Sequence, residues 1–355
     1  MKAAWISAYD DLARKVRFPS VSDLFRQTRG NSMSGQLSRR ILADGIEEIE
    51  IDPEWAGDLP VLREVLTEHF GSPIQGSKLT PSAQPDVLRA ELLARSRHLA
   101  GLVEELQEAI AARASVIVVP QMHLAHLDVE DRGVLLYSLT VGMGYPTGTD
   151  PRERQVVWPV TARAKNGNYF ATFSELDTEA TYHTDAQYYP DPERYFLLYA
   201  VHAARCGGGE SRIRANRHVM EFMNSTGEGR RAIRVLQALN IPFRIPSVYT
   251  KSGTAEEKKY TFAPVIGENN TLRWRKDTVE KGLAELPEYD HPDLRDSLKL
   301  LESALNDAPQ EVRLTLGDDS LVLVDNHRAV HARTAFTDHE RHLLRIRFHD
   351  HQYVG

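Results

Sequence analysis

The sequence lacks several features that would restrict its class. Cys206 is the only cysteine among 355 residues, so no intrachain disulfide can form, which fits a reducing compartment. No stretch approaches the ~20 consecutive apolar residues of a membrane span. The opening residues, "MKAAWISAYDDLARK", contain an apolar run that is too short and too broken for a signal peptide. We therefore expect a soluble, cytoplasmic protein with no membrane partner.

The sequence also lacks any concentration of positive charge. Its net charge is -7 and its basic residues are scattered, so it has no electrostatic footprint for nucleic acid. Internal repeats and low-complexity tracts are absent as well. With 41% hydrophobic and 26% charged residues, the composition is globular, and a chain of this length can bury a large core. We expect a folded, globular protein with no nucleic-acid partner.

The first part of the chain is predicted to be mainly helical. Residues 85–114 carry apolar side chains at helical spacing, which predicts one amphipathic helix. The β-branched run 115–120, "SVIVVP", predicts a buried strand, and residues 132–144 are expected to return to helix. The apolar positions that define the first helix are Leu92, Leu99, Leu102, Val103, Leu106 and Ile110.

From residue 154 onward, short β-type runs alternate with turn residues. These runs are "RQVVWPVTA", "GNYFATFSE", "RYFLLYAVHAA", "SLVLVDNHRAVHA" and "HLLRIRFHD". Two helical stretches interrupt them, at 216–239 in two pieces and at 291–306. Residues 245–290 between them are polar and irregular, and could hold a lid or an insertion. Short strands broken by turns favour a sandwich or barrel.

The combined pattern predicts an α+β fold in one domain, residues 1–355. We expect residues from about 1 to 130 to form a helical or mixed N-terminal layer. Residues from about 131 to 355 are expected to form a double-stranded β-helix, or jelly-roll, core with helical insertions. The segment 245–290 would be the insertion or lid.

The stretch "TYHTDAQYYP" (181–190) places a histidine two residues before an aspartate. Residues i and i+2 of a strand point to the same face, so His183 and Asp185 would lie side by side. An imidazole and a carboxylate are two of the three ligands in the 2-His-1-carboxylate triad that binds non-haem Fe(II). Taken alone, the pair is more simply explained as a surface pair, or as a histidine oriented by its own aspartate.

A third ligand is available in residues 321–350. Two strand-like runs flank the polar "TDHE", which predicts a hairpin centred near Asp338. His331 would then face Arg345 directly across the pair, with Arg341 four residues earlier on the same face. Two buried arginines beside a histidine call for anionic partners, and the carboxylates of a small diacid would serve.

The ordered set of His183-Thr-Asp185, His331 and the Arg341-x-x-x-Arg345 pair resembles a known family. It resembles the Fe(II)- and 2-oxoglutarate-dependent oxygenases of the taurine dioxygenase and clavaminate synthase group. The phrases "VDNHRAVHARTAF" and "HTDAQYYPDPERYFLLYAVHAARCGGGES" are similar to motifs of that group, and the resemblance covers residues from about 130 to 350. It implies that His183, Asp185 and His331 bind the iron.

The resemblance also implies how the cosubstrate 2-oxoglutarate is held. Arg345 corresponds to the arginine that grips its distal carboxylate, and Arg341 to one near its C1 carboxylate. Ser211 stands where the group usually has threonine and would give the distal carboxylate a hydroxyl donor. Related halogenases have a small residue in place of Asp185, so a carboxylate there favours hydroxylation or desaturation.

The implied function is hydroxylation of an unactivated C–H bond with Fe(II), 2-oxoglutarate and O2. The group often acts on amino acids and amino-acid-derived natural products, so we expect an amino acid or small peptide as substrate, free or carrier-bound. Two alternatives stay open: a desaturase or cyclase that uses the same iron site, and a metal-binding jelly-roll protein without turnover. The oligomeric state is not predicted.

Residues for the substrate are predicted from position alone. Thr172 and Ser174 precede the strand of His183 and are expected to face the cavity. Arg273 and Arg275, in "LRWRKD", could meet a substrate carboxylate, although a solvated charged loop is the simpler alternative.

The end of the chain carries four further histidines. They could bind a second metal ion, but the sequence alone does not favour such a site. The residues concerned are His339, His342, His349 and His351.

Overall fold

The computed structural model describes residues 38–162, 173–252 and 257–352. Thr172, one of the predicted substrate residues, lies outside them. The α-helices within the described residues are α1 (Leu59–Phe70), α2 (Pro85–Arg95), α3 (Arg97–Ala111), α4 (Val129–Met143), α5 (Asn216–Asn224), α6 (Gly227–Ala238), α7 (Lys276–Glu285) and α8 (Pro292–Asp307). Short 3-10 helices lie at Pro53–Asp58, Gly76–Lys78, Phe173–Glu175, Ser247–Tyr249, Glu268–Asn270 and Pro287–Tyr289. No described helix combines the length and apolarity needed to cross a bilayer.

The strands form two main sheets and a small ladder. The strands are β1 (Arg39–Ala43), β2 (Ile46–Ile49), β3 (Val116–Val119), β4 (Tyr145–Pro146), β5 (Trp158–Thr161), β6 (Ala180–His183), β7 (Tyr195–His202), β8 (Ser211–Ala215), β9 (Ile241–Arg244), β10 (Tyr260–Ala263), β11 (Val312–Leu314), β12 (Leu321–Asp325), β13 (Ala329–Arg333) and β14 (His342–His349). Sheet I has the order β1-β2-β3-β12-β7-β14-β4, with β5 also paired to β14, and sheet II has the order β11-β8-β13-β6. Among the described strands, β2 and β3 pair in parallel, and β9 and β10 form the separate ladder. The fold is therefore a mixture of helices and mainly antiparallel sheets, as predicted.

Strand β14 shows how sheet I separates a core from a site. Leu344, Ile346 and Phe348 belong to the core cluster shared with helices α1–α4. Successive residues of a strand point to opposite faces, so Arg345 and Arg347 point the other way. Both arginines are nonetheless buried, because that face is covered too. The alternation in "LRIRF" thus encodes two buried faces, one apolar and one charged.

Within the described residues, the N-terminal part contains the helices α1–α4, and one of the predicted helices is corrected. Residues 85–114 form two helices, α2 and α3, rather than one. Ser96 between them has an extended backbone, and its hydroxyl accepts a hydrogen bond from the Leu99 amide at 3.1 Å. Serine is a strong N-cap because this bond satisfies an amide that has no partner within the helix, so a new helix begins at this point. The helices predicted at 216–239 and 291–306 correspond to α5, α6 and α8.

The segment 245–290 is more regular than predicted. Its β10 pairs with β9, and α7 packs on the same ladder. The fully buried Arg244 donates to Glu285 at 3.0 Å, and the Tyr260 hydroxyl donates to the same carboxylate at 2.6 Å. These bonds tie β9, β10 and α7 together. Residues 253–256 are outside the described part of the segment.

The predicted hairpin between β13 and β14 is wrong. His331 of β13 lies in sheet II, opposite His183 and Ile213. Arg345 of β14 lies in sheet I, opposite Leu198 and Trp158. The two strands are therefore not paired with each other.

The connection between these strands explains why no hairpin forms. The Thr334 amide donates to the Glu210 carbonyl, and the Phe336 amide donates to the Asp177 carbonyl. Phe336 is itself buried. The backbone after β13 is thus bonded to other segments before it can turn back, and it crosses to sheet I instead.

The apolar face of β14 gives a test of this packing. Ile346→Ala should lower the free energy of unfolding by about 2–5 kcal/mol, because Ile346 is 0% exposed and its removal leaves a cavity. Ile41→Ala, at a residue 77% exposed, should change it by less than about 0.5 kcal/mol. Urea unfolding would measure both, and equal effects would contradict the described packing.

Candidate active site

Three predicted residues converge at one end of sheet II. His183 closes β6, and His331 lies directly opposite it on β13. Asp185 follows two residues after His183, with its Oδ1 3.8 Å from His183 Nε2 and 3.9 Å from His331 Nε2. One donor atom from each residue lies within 4.8 Å of the other two. The cross-strand register therefore brings the two imidazoles together, and the turn after β6 adds the carboxylate; the predicted hairpin is not involved.

A hydrogen bond orients the His183 imidazole, whereas His331 has aromatic contacts and no hydrogen-bond partner for its Nδ1 among the described residues. His183 Nδ1 lies 2.8 Å from the Thr181 carbonyl, which can only accept, so this nitrogen carries the proton and Nε2 is left with a lone pair. The ring of Phe173 packs edge-on against His183 at 4.9 Å, and Phe196 lies 4.7 Å from the His331 ring. These aromatic walls hold the two rings within 4.2 Å of each other.

Burial and charge set the protonation of the three groups. Burial lowers the pKa of His183 well below its usual value, and the neighbouring His331 lowers it further. Burial also lowers the pKa of His331. For Asp185, burial alone would raise the pKa, but Arg345 and the two imidazoles lower it by more. The result is two neutral imidazoles beside an ionised carboxylate, a donor set that fits Fe(II) or another divalent metal ion.

The second oxygen of Asp185 is bound by Arg345. Arg345 Nη1 donates to Asp185 Oδ2 at 2.9 Å, and its Nη2 donates to the Tyr249 hydroxyl at 3.1 Å. Tyr249 stacks on Tyr188 with ring centres 5.2 Å apart. The ion pair leaves Oδ1 facing the imidazoles.

The backbone of Asp185 is held by Asn326. The Asp185 amide donates to Asn326 Oδ1 at 2.8 Å, and Asn326 Nδ2 donates back to the Asp185 carbonyl at 2.9 Å. Asn326 also donates to the Glu193 carbonyl at 3.0 Å. Neither Asn326 nor Tyr249 was predicted as a site residue. Asn326 could have been found from its place in "VDNHRAVH", whereas Tyr249 has no comparable signal.

The predicted cosubstrate residues line the same cavity, but the two arginines differ in whether they have an acidic partner. Arg345 is already paired with Asp185. Arg341 is only 6% exposed and has no acidic partner among the described residues, and burial lowers its pKa to about 10. Its guanidinium lies 4.9 Å from the Phe336 ring. Ser211, at the start of β8, lines the cavity with it.

Of the predicted substrate residues, Ser174 and Arg275 line the cavity. The Ser174 hydroxyl oxygen is buried without a hydrogen-bond partner among the described residues. Arg275 is buried, lies 4.2 Å above the Phe173 ring and pairs with Asp277 at 2.6 Å. The alternative of a solvated loop is therefore wrong for Arg275.

Arg273 is placed differently. It is absent from the cavity lining, and its guanidinium donates to the carbonyls of Gln187 at 2.8 Å and Pro190 at 3.1 Å. The prediction that it could meet a substrate carboxylate is therefore not supported, because its donors already hold the backbone after the triad's aspartate.

Comparison with a protein-family model supports the oxygenase class that the arrangement of the site suggests. Residues 75–347 match the family described as "Taurine catabolism dioxygenase TauD, TfdA family". The match spans more than half of the chain, so the chain belongs to this family of dioxygenases. The family and the enzyme class predicted from the sequence are thereby confirmed. No curated protein matches the sequence significantly.

Solved structures match the fold over most of the chain. One is an asparagine oxygenase in complex with Fe(II), 2S,3S-3-hydroxyasparagine and succinate, with 17% identity, a TM-score of 0.59, and coverage of 85% of this chain and 93% of that one. Another is the non-haem iron oxygenase OrfP in complex with Fe, succinate and (3S)-hydroxy-L-Arg, with 16% identity, a TM-score of 0.59, and coverage of 86% and 94%. OrfP in complex with Fe and alpha-ketoglutaric acid matches with 17% identity, a TM-score of 0.56, and coverage of 86% and 94%. At these identities the likeness establishes a shared fold.

Metal binding can be tested at His331. His331→Ala should weaken Fe(II) binding at least about a hundredfold, because it removes one of three donors from a buried site. The control is His327→Ala, four residues earlier, whose Nε2 lies 3.1 Å from the Pro192 carbonyl and which is outside the donor cluster. Anaerobic titration with Fe(II) would measure both. Equal binding by the parent and the His331→Ala variant would refute the triad.

Proposed function

We propose that the protein is an Fe(II)- and 2-oxoglutarate-dependent hydroxylase of an amino-acid-like small molecule. The observation that carries this is the convergence of His183, Asp185 and His331 in a cavity that also contains Arg341, a buried cation without an acidic partner among the described residues. Iron, 2-oxoglutarate and O2 together would supply the oxidising power to attack an unactivated C–H bond. The chain itself would bind and orient the reactants and exclude water.

We infer that sheets I and II are the two halves of a double-stranded β-helix. Phe196 and Val322 of sheet I and Ile213 of sheet II belong to one buried cluster, which supports face-to-face packing. The triad and the cavity arginines would then lie between the two sheets. We further propose that residues 38–355 form a single domain.

For 2-oxoglutarate, we propose roles opposite to those implied by the sequence resemblance. A diacid bound to the metal at one end extends its far carboxylate away from the triad. Arg345 contacts the triad's own aspartate, so it would serve the near end. Arg341 lies beside Gly209, two residues before Ser211, and has no acidic partner in the described part of the chain.

The far carboxylate would therefore pair with Arg341 and accept a hydrogen bond from Ser211. Arg333 also lines this part of the cavity, but its guanidinium donates to the carbonyls of Leu176 and Thr178. Arg341 is therefore the cavity arginine for which an anionic ligand would offset the desolvation cost of burial.

For the substrate, we propose an amino acid, free or carrier-bound, or a small peptide. The matched asparagine oxygenase and OrfP structures are complexes with hydroxylated amino acids, which supports this class. Arg275 would contribute a cation for a substrate carboxylate, and the Ser174 hydroxyl a further polar contact. Residues 245–290 would cover the site as a lid, since Tyr249 and Arg275 both come from this segment.

A desaturase or cyclase would use the same residues, so product analysis has to distinguish it from a hydroxylase. A metal-binding protein without turnover would leave Arg341 unexplained, because such a protein needs no diacid clamp.

The cosubstrate roles can be tested by comparing two arginines. Arg341→Ala should raise the Kd for 2-oxoglutarate about a hundredfold, because two charge-assisted hydrogen bonds are worth about 3 kcal/mol or more and 1.4 kcal/mol is a factor of ten. Arg341→Lys should also weaken binding, since it keeps the charge but loses the planar fork. Iron affinity should stay near that of the parent. Anaerobic titration of the Fe(II) protein, followed by its visible absorption, gives these constants.

Arg345→Ala serves as the matched comparison. If Arg345→Ala weakens 2-oxoglutarate binding tenfold more than Arg341→Ala, the assignment implied by the resemblance is correct and ours is wrong. If neither variant weakens it, the diacid does not bind in this cavity.

The substrate class can be tested by screening amino acids with Fe(II), 2-oxoglutarate and O2. With a true substrate, 2-oxoglutarate and O2 should be converted to succinate and CO2 while the substrate gains one oxygen atom; loss of two hydrogens would instead indicate desaturation. Arg275→Gln should raise KM for a carboxylate substrate about tenfold or more, with little effect when that carboxylate is amidated. An unchanged KM would exclude Arg275 as its partner.

A further inference from the structure

A second cluster of metal-competent side chains lies at the carboxyl end of β14. His349 closes this strand, His351 follows two residues later, and Asp191 lies on the loop between β6 and β7. Asp191 Oδ2 is 3.4 Å from His351 Nε2 and 3.9 Å from His349 Nδ1, and the two rings are 5.0 Å apart. One donor atom from each residue lies within 4.8 Å of the other two. The cluster shares no residue with the triad.

A carboxylate on the far side of the ring from Asp191 orients His351. Its Nδ1 lies 2.9 Å from Asp350 Oδ1, and Asp350 is itself bound by Arg194. An ionised carboxylate can only accept, so Nδ1 carries a proton, and Nε2 faces Asp191, where a metal ion would take the place of a second proton. A carboxylate that orients a histidine through its far nitrogen is the usual arrangement behind a metal ligand.

The charges around the cluster leave room for a cation. Asp350 is neutralised by Arg194, and Glu193 lies 3.6 Å from Arg347. Among the described residues, Asp191 has no arginine or lysine within ion-pairing distance. Its ion-pair contacts are the two imidazoles, and the Arg273 guanidinium interacts with it only from further away. A divalent ion would therefore meet one carboxylate that is not already paired with a fixed cation.

The cluster also opens onto a cleft of about 470 Å3, separate from the triad's cavity. This cleft gives an incoming ion an entry path and space for a water ligand. Residues of the cluster that line it are Asp191 and His349, with Glu193 and Gln352 beside them.

We propose that Asp191, His349 and His351 form a second metal site, which binds a late first-row divalent ion such as Zn2+. Two imidazoles, one carboxylate and a water would complete the tetrahedral coordination that zinc prefers. The bound ion would join the end of β14 to the loop that follows Asp185. The alternative is a simple ion pair between protonated His351 and Asp191, which needs no metal.

The test is zinc stoichiometry in the full-length protein. Zinc should also occupy the triad, so the metal-stripped parent should bind two equivalents in equilibrium dialysis, and His331→Ala should retain one. In the His331→Ala background, His351→Ala should weaken that remaining equivalent at least about a hundredfold. His339→Ala, an exposed histidine of the same tail outside the cluster, is the matched control and should change nothing.

Asp350→Asn separates a metal site from an ion pair. Loss of the orienting carboxylate should weaken zinc binding about tenfold, within the range seen for such outer partners. Asp191→Asn should weaken it at least as much as His351→Ala while nearly preserving side-chain shape. If a double variant folds poorly, Co2+ can be bound to the His331→Ala single variant instead. The d–d absorption of that Co2+ reports which ligands surround it. No retained equivalent in His331→Ala, or one that survives both His351→Ala and Asp191→Asn, would overturn the proposal.

Discussion

The site depends on keeping the buried carboxylate of Asp185 ionised. Its side chain is almost fully enclosed, and an unpaired charge there would cost several kcal/mol. Arg345 offsets this cost through one oxygen, and the two imidazoles face the other. Asn326 fixes the backbone beneath it through paired hydrogen bonds. The metal-competent geometry is therefore a consequence of how the protein stabilises one negative charge.

This constraint explains the unusual composition of β14. A strand between two buried faces would ordinarily be apolar throughout, yet this one carries Arg345, Arg347 and His349 on alternate positions. Arg345 balances Asp185, and Arg347 balances Glu193, which is also buried. The opposite face stays apolar because Ile346 and its neighbours pack against the helical layer. Charge on one face and core on the other can coexist because the strand period is two.

Part of the site could be predicted from sequence for a different reason. His183 ends β6 and Asp185 lies in the turn that follows, so the strand period placed only the histidine, and family motifs supplied the aspartate and His331. The predicted hairpin was wrong although β13 and β14 are close in sequence. The backbone hydrogen bond from Thr334 to Glu210 directs the chain elsewhere, and the local sequence does not reveal it. Arg345 was predicted to point toward the site, and it does, because it pairs with Asp185. The strand predicted to pair with β14 was wrong, since β14 pairs with β5 and β7. Face is a local property, whereas strand pairing depends on the whole fold.

Arg273 and Arg275 mark the limit of such reasoning. They sit two residues apart in one short motif, and nothing local distinguishes them. The structure gives them different tasks because each meets different neighbours: backbone carbonyls after Asp185 for Arg273, and Phe173 and Asp277 for Arg275. Arg341 could not be singled out from sequence either, because what distinguishes it is that it is buried with no acidic partner among the described residues. A sequence states which charges a chain carries, but which of them stay unbalanced is decided by packing, and unbalanced buried charge is what a ligand recognises.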